Sequence, residues 1–425
     1  MTVLTTIPNG ASGADVRDTI NNIIASIAAP WVLIAAPEAS AAVKKLANYV
    51  CTSDAAANYT AIQAVINAFP AQSVKDGANN TITTGVAGCI QFTGGTHLIG
   101  TGLSVPPGST VNMKGIGASG WIPIGPATPT WDGGTRIYST DPTGAVLAFP
   151  KTPGGNPASG ATITGIDFVP ANPAANVTGI AVNLDGLKTF HITEINVIAD
   201  RSVNTTPAIA TGLSIAAGGA SSAKFLSKVN VYGFRNVGVA ISTTHLMAIG
   251  ISSGQHSNNA FSTCFNITPQ DDNFLAGIQC FGCAYGISIS NSFQLQYRIE
   301  SVHFESITTP VLQNGSRPIE IGMVDLDTGV NFTGDITTKV RLGMYVSKVN
   351  PGKAFKNWGT ATIAAGQTSV TWPHNLVAAP LHYFATPRGA NGGFFVTADA
   401  TNVTVTIPAA LGAALDFGVQ AWCGA

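Results

Sequence analysis

The sequence predicts an all-β protein built on a parallel β-helix, with a helical segment before it and a small β-sandwich after it. Three observations carry that expectation. Short strand motifs return at intervals between about residues 160 and 327, charged residues are scarce, and the last seventy residues switch to a regular series of alternating strands.

The returning motifs are of two kinds. One reads Gly-Ile180-Ala-Val182, Gly-Leu213-Ser-Ile215, Gly-Val239-Ala-Ile241, Cys-Phe265-Asn-Ile267 and Gly-Ile287-Ser-Ile289. The other alternates with it as Ile195-Asn-Val197, Val229-Asn-Val231, Ile249-Gly-Ile251, Ile278-Gln-Cys280 and Val302-His-Phe304. Copies of each kind lie 20 to 34 residues apart. A strand returning at that period marks a solenoid in which each coil buries its apolar face on its neighbours. Segments of three to five residues with nothing helical between them favour a parallel β-helix over a leucine-rich repeat.

The composition agrees. Of 425 residues 10 % are charged, with a net charge of −1, against about 25 % charged in an ordinary soluble domain. Coils stack about 4.8 Å apart, where like charges repel and Asn, Thr and Ser can pair. The 45 % apolar content excludes a disordered chain. The shortage of charge excludes a coiled coil, and the near-neutral balance argues against a nucleic-acid binder built on a basic patch.

Residues 1–57 read as a helical attachment segment. Ile20, Ile23, Ile24 and Ile27 form one helical stripe, capped by Ser12 or Asp15 and ended by Pro30. A second helix is expected over 38–50, with Val43, Leu46, Ala47 and Val50 on one side. The stripes must be buried, either on the main domain or on another protein. The apolar run 23–36, broken by Ser26 and Pro30, is shorter than the ~20 residues a bilayer requires, so no membrane insertion is expected, and no signal peptide is visible. The β-helix is expected over 58–330, opened by a capping helix with Ile62, Val65, Ile66 and Phe69 at helical spacing. A solenoid needs such a cover because its end is an unpaired sheet edge. A linker follows over 331–356; within 331–354, Lys339, Arg341, Lys348 and Lys353 face Asp335 alone. About six alternating strands over 357–425 then predict a small sandwich.

Several motifs carry no chemistry. The six cysteines are too scattered for a disulfide framework, and Cys280-Phe-Gly-Cys283 has no second pair to complete a zinc site. They read as small core residues. Gly115-x-Gly117-x-x-Gly120 matches a dinucleotide fingerprint in letters only, because Trp121-Ile-Pro-Ile-Gly-Pro cannot open the required helix. No metal-ligand spacing exists, and no cofactor is expected.

Three stretches resemble a known family. Ala61-Ile-Gln-Ala-Val-Ile-Asn67, Gly88-Cys-Ile-Gln-Phe-Thr-Gly-Gly-Thr-His-Leu-Ile-Gly100 and Leu103-Ser-Val-Pro-Pro-Gly-Ser-Thr-Val-Asn-Met-Lys-Gly-Ile-Gly117 are similar to the opening of pectate-lyase-like right-handed β-helices, a superfamily that includes many bacteriophage tailspikes. The Asp-Asp-Thr that often begins that opening is replaced by Asn58-Tyr-Thr60. Trp372-Pro-His-Asn-Leu376, Ala385-Thr-Pro-Arg388 and Ala421-Trp422 resemble a sandwich that ends many phage fibres and spikes, and Ile7 to Asp18 has the character of phage tail-protein openings. The resemblance implies a homotrimeric virion protein, assembled in the host cytoplasm, that binds and sometimes cleaves host cell-surface polysaccharide. It also implies attachment to other tail or baseplate proteins, here through residues 1–57. A polysaccharide depolymerase and a purely structural virion protein are the alternatives.

Candidate residues follow from that chemistry. Cleavage by hydrolysis needs two carboxylates about 5–9.5 Å apart. Asp271 and Asp272, one coil before Glu300 and Glu305, are the candidates: a glutamate as general acid and an aspartate as base. The bland alternative makes the aspartates turn caps and Glu300 a surface partner of Arg298. For glycan binding, aromatic faces with polar neighbours point foremost to Trp372, His374, Tyr383 and Arg388, with Trp358 and Trp422 beside them and Trp121, Trp131, Tyr138, Tyr232, Tyr285 and Tyr297 along the β-helix, although buried aromatics more often fill cores and contacts between chains.

Overall fold

The computed structural model describes residues 31–69, 71–75, 81–85, 88–118, 120–121, 130–131, 133–151, 159–200, 206–216, 224–254, 262–268, 273–289, 297–314, 319–327, 340–347, 356–376, 379–389 and 393–423. The chain divides into two compact units at Ala240/Ile241.

Parallel ladders build the first unit. Trp31–Ala35 pairs with Gly88–Phe92, then come Thr110–Lys114, Ser159–Pro170, Leu187–Ile198 and Lys224–Tyr232. A second ladder runs Leu103–Ser104, Leu147–Ala148, Val177–Asn183, Ile209–Ile215. A third joins Gly95–Ile99 to Thr135–Ser139 and on to the far half of Ser159–Pro170. The second unit continues in the same style. One ladder contains Leu246–Gly254, Asn273–Ala276 with Ile278–Phe281, Tyr297–Glu305, Ile319–Leu326 and Val340–Ser347. Another contains Thr263–Ile267, Tyr285–Ile289 and Thr309–Gln313. The protein is a parallel β-helix.

One position in each coil explains how a long strand serves two sheets. Ile163-Thr-Gly-Ile-Asp-Phe168, Ile192-Thr-Glu-Ile-Asn-Val197 and Leu226-Ser-Lys-Val-Asn-Val231 share a pattern in which the first, fourth and sixth residues are buried. Strict alternation would bury the first, third and fifth. The third residue absorbs the slip by turning left-handed: φ is 67° at Gly165, 54° at Glu194 and 51° at Lys228. Gly250 and Gly277 repeat it in the second unit, with φ of 67° and 63°. That conformation suits glycine and costs other residues roughly 1–2 kcal/mol. Glu194 and Lys228 occupy it in register, and their side chains meet at 2.8 Å. Exposed as they are, the pair contributes at most about 1 kcal/mol.

The start of the chain differs from expectation. Residues 38–50 are helical only over Ala41–Leu46, capped by Ser40. Trp31–Ala35 is a strand instead, because an uninterrupted apolar, β-branched run satisfies a parallel sheet buried on both faces. Tyr49–Val50 pairs with its end. The Ile20–Ile27 stripe lies outside the described residues. The expected linker also contributes a strand, Val340–Ser347, paired with Ile319–Leu326. Two of the repeats slip by two residues from their letters: Val182 faces Leu213, and Ile278 falls beside Ile251.

The capping helix spans Ala55–Ala68, with Asp54 accepting from the amides of Ala56 and Ala57. Ile62 and Ile66 are its buried stripe. Asn58, fully buried, ties it to the first coils. Its Oδ1 accepts from the Tyr49 hydroxyl (3.0 Å) and the Thr52 amide (2.9 Å), and its Nδ2 donates to the carbonyls of Thr52 and Leu98 (2.8 Å each). Gly88 leaves room for the Phe69 ring, which a Cβ there would overlap.

The C-terminal part is the expected sandwich. Lys356–Ile363, Leu415–Trp422 and His382–Pro387 form one antiparallel sheet; Ser369–Pro373, Asn402–Thr406 and Phe395–Ala398 form the other. Ala361, Ile363, Phe417, Val419, Val403 and Val405 are buried between them.

Candidate functional site

The second residue after each left-handed corner points outward, so stacking the coils stacks these side chains. In the first unit they are Asp167, Asn196 and Asn230. Asn230 Nδ2 donates to Asn196 Oδ1 and Asn196 Nδ2 donates to Asp167 Oδ1, each at 2.7 Å. Asp167 and Asn196 are buried. Their polarity is spent on one another, which makes the row a structural ladder. Nearby, the Tyr138 hydroxyl donates to Asp200 at 2.8 Å; burial and that bond push its pKa up.

The same position in the second unit carries Ser252, Gln279, His303 and Asp325, in register across four strands. The Ser252 hydroxyl donates to Gln279 Oε1 at 2.9 Å. His303 Nδ1 lies 2.8 Å from Asp325 Oδ2, and Nε2 lies 4.0 Å from Glu305 Oε2. A carboxylate on Nδ1 favours the tautomer protonated there, and Nε2, 4.0 Å from Glu305, is free of a direct hydrogen bond to it. An imidazole held by one carboxylate beside another is a set that can move protons.

Glu300 and Glu305 are the alternative general acids. Ser301 stands in register with the left-handed Gly277; Glu300 precedes it and Glu305 follows it, on either side of the position where the buried residues Ile299, Val302 and Phe304 slip by one. Glu300 Oε2 meets Arg298 Nη2 at 2.6 Å, the surface partnership set out as the bland alternative. Asp271 and Asp272 lie outside the described residues. Among the described residues no group of three or more His, Cys, Asp or Glu has the geometry to hold a metal ion. All six cysteines are free and buried; burial pushes the Cys51 thiol up to about 12.

Strand parity sorts the aromatic candidates. Trp372 is opposite buried Val403 and so faces the sandwich interior, where its indole packs over Gly359, the residue with no side chain to obstruct it. His374 is 0 % exposed. Its Nδ1 accepts from the Leu376 amide at 3.0 Å and its Nε2 lies 3.3 Å from the Asp399 carbonyl. Both ring nitrogens are therefore engaged, and it is a core residue rather than a surface ligand. Tyr383 shares the inner parity of buried Ala385 but is open at the sheet's end. Arg388 alone of the four belongs to the outer face.

That outer face also holds the candidates Trp358 and Trp422, together with Lys356, His382 and Phe384, which no motif singles out. Three cross-strand rows run Lys356–Trp422–His382, Trp358–Gln420–Phe384 and Thr360–Gly418–Thr386. His382 stacks on Trp422 at 5.2 Å, Phe384 meets it edge-on at 5.8 Å, and Lys356 Nζ lies 5.6 Å from the ring centroid. Trp358, 69 % exposed, has an open ring face. The signal was available as alternation: His382, Phe384, Thr386 and Arg388 are every second residue.

No protein-family model matches the chain, and no curated protein matches it. Solved structures are similar to it. Geobacillus virus E2 ORF18 has a TM-score of 0.49 at 14 % identity over 95 % of this chain and 80 % of that one. The tailspike gp49 of Acinetobacter baumannii bacteriophage Fri1, described as a capsular polysaccharide depolymerase, has a TM-score of 0.40 at 10 % identity over 80 % of each chain. A mutant tailspike of E. coli bacteriophage HK620, in complex with a hexasaccharide, has 0.30 at 10 % over 82 % of this chain and 92 % of that one. These are likenesses of chain trace; the parallel β-helix itself stands on the strand registers.

Proposed function

We propose that the chain is a bacteriophage tailspike or tail fibre that binds a host cell-surface glycan, acting as a homotrimer joined to other tail proteins through residues 1–57. The observation that carries this is the outward row Ser252, Gln279, His303 and Asp325. A hydroxyl, an amide, an imidazole and a carboxylate at strand spacing suit a chain of hydroxyl-rich rings, which is bound by a few polar anchors. The β-helix frame and the resemblance of its opening to tailspikes support the same reading.

A depolymerase on the same scaffold is favoured by one contact set, Asp325–His303–Glu305, with Asp271 and Asp272 as further candidates for the base. The test is incubation of the purified protein with host surface polysaccharide, followed by sizing. Polymer that stays intact and co-migrates with the protein supports a receptor-binding spike. Discrete oligosaccharides support the depolymerase, and loss of cleavage in His303→Ala and Glu305→Gln would assign it to this set. Neither binding nor cleavage across host glycans leaves the structural virion component and sinks both readings.

A further inference from the structure

We propose that the outer face of the sheet Lys356–Ile363/Leu415–Trp422/His382–Pro387 is a second saccharide site, one that takes a sugar carrying an acidic group. The inference rests on the glycan-binding reading above and adds a place and a ligand class to it.

The face has the parts a pyranose ring requires. Trp358 offers a flat apolar surface of ring size, 69 % exposed. Its cross-strand neighbour is Gln420, with Phe384 on the far side, so an amide able to donate and accept lies between two aromatic walls. Directly opposite residues on a sheet stand about 4.5–5.5 Å apart, which brings Gln420 within hydrogen-bond reach of a ring stacked on Trp358. The next row supplies two hydroxyls, Thr360 and Thr386, on either side of Gly418. With no side chain at Gly418 the floor dips there.

Charge selects the class of sugar. Lys356 and Arg388 stand at opposite ends of the face, and neither forms an ion pair among the described residues. A Cβ built on Gly418 would lie 3.8 Å from Nε and Nη2 of Arg388, so the guanidinium reaches over that dip. Among the described residues the one acid on the face, Asp416, lies at its edge, where its carboxylate accepts from the Thr362 hydroxyl at 2.6 Å. The aromatic half thus carries the Lys356 ammonium with no carboxylate paired to it among the described residues, and a carboxylated or otherwise anionic sugar supplies one. A second copy of this chain is the competing occupant. It would bury the open Trp358 ring but has no comparable use for a dipped, hydroxyl-lined floor under a guanidinium.

The experiment uses the full chain and defined probes: oligosaccharides of alginate, polygalacturonate and hyaluronan, each with its carboxyl-reduced counterpart, titrated by calorimetry. The expected result is binding of at least one acidic probe in preference to its reduced form. Trp358→Ala, an exposed change that leaves the fold intact, weakens it by about fivefold or more, as loss of an aromatic stacking contact does. Lys356→Ala removes about threefold of the acid preference, the scale of an exposed charge pair. Wild-type binding unchanged in Trp358→Ala overturns this site while leaving the proposed function standing. Preference for the reduced probes, or binding of none of them, overturns the ligand class, and the host-polysaccharide assay judges the proposed function separately. A fall in oligomer mass on light scattering of Trp358→Ala would hand the face to a second copy and also overturn it.

Discussion

Replacing Asn58 tests whether the capping helix is held by a side chain that acts as part of the backbone network. Asn58→Ala removes four hydrogen bonds at 2.8–3.0 Å from a residue that is fully buried. Leaving a buried polar partner unsatisfied costs about 1–3 kcal/mol each, and the four do not add. Tyr49 and Thr52 lie nearer the surface, where water can replace what they lose. The Leu98 carbonyl, within the first coils, has less access to it. A net loss of about 2–4 kcal/mol follows. Asn58→Asp separates the two halves of the effect: it keeps an acceptor for Tyr49 and Thr52 but cannot donate to the carbonyls of Thr52 and Leu98. Hydrogen exchange is the suitable assay because it reads local opening. Amides of Ala55–Ala68 should lose protection in Asn58→Ala, and nearly as much in Asn58→Asp, while the sandwich strands stay unchanged. Equal protection in wild type and Asn58→Ala would refute the argument, since the helix would then be held by Ile62, Ile66 and the paired bonds of Gln63 with Ser104.

Three further outcomes are expected. Burial lowers the pKa of His97, so its contribution to stability is fully present above the unfolded value near 6.5 and is lost as pH falls from there toward the folded value. Denaturation between pH 7 and 5 should lose this slope in His97→Gln, and an unchanged slope would count against it. Gly359→Ala puts a Cβ 2.7 Å from Trp372 Nε1 and should destabilise the sandwich by about 1–3 kcal/mol as the indole is displaced; calorimetry showing no shift would mean the indole has room to move. The six free buried thiols should be silent to a thiol reagent in the native protein and all react in denaturant. Fewer than six after unfolding would reveal a disulfide.

The solenoid was legible because stacking leaves its period in the letters. Ile195 facing Val229 and Ile278 facing Val302 are pairs that apolar spacing alone predicts. Register was less legible where corner geometry intervenes. Val182 pairs with Leu213, two residues from the motif alignment, because loop length between coils, not the motif, decides how far a strand slides. Trp31–Ala35 misled for a related reason. A short, wholly apolar run has no period of its own, and only its pairing with Gly88–Phe92 makes it a strand. Asn58 belongs to no apolar stripe, and only its four bonds show its structural use.

The site was harder to read because residue type and residue facing are separate kinds of information. Trp372, His374 and Tyr383 were chosen for chemistry, yet alternation gives all three the inner parity of the sandwich. Arg388 has the right chemistry and the right parity, and it leads along its strand to Thr386, Phe384 and His382. Glu300 and Glu305 show the other difficulty. Five residues apart on a regular strand, they would already differ in parity. The slip at Ser301, in register with the corner at Gly277, restores their outward facing on either side of it. The same slip of one residue puts Ser252, Gln279, His303 and Asp325 in line, four residues from four coils with no shared motif. A solenoid therefore gathers its chemistry by coil position, and the corner is the landmark to count from. A further outward acid or imidazole should be sought two residues after a corner before any pair is inferred from closeness in sequence.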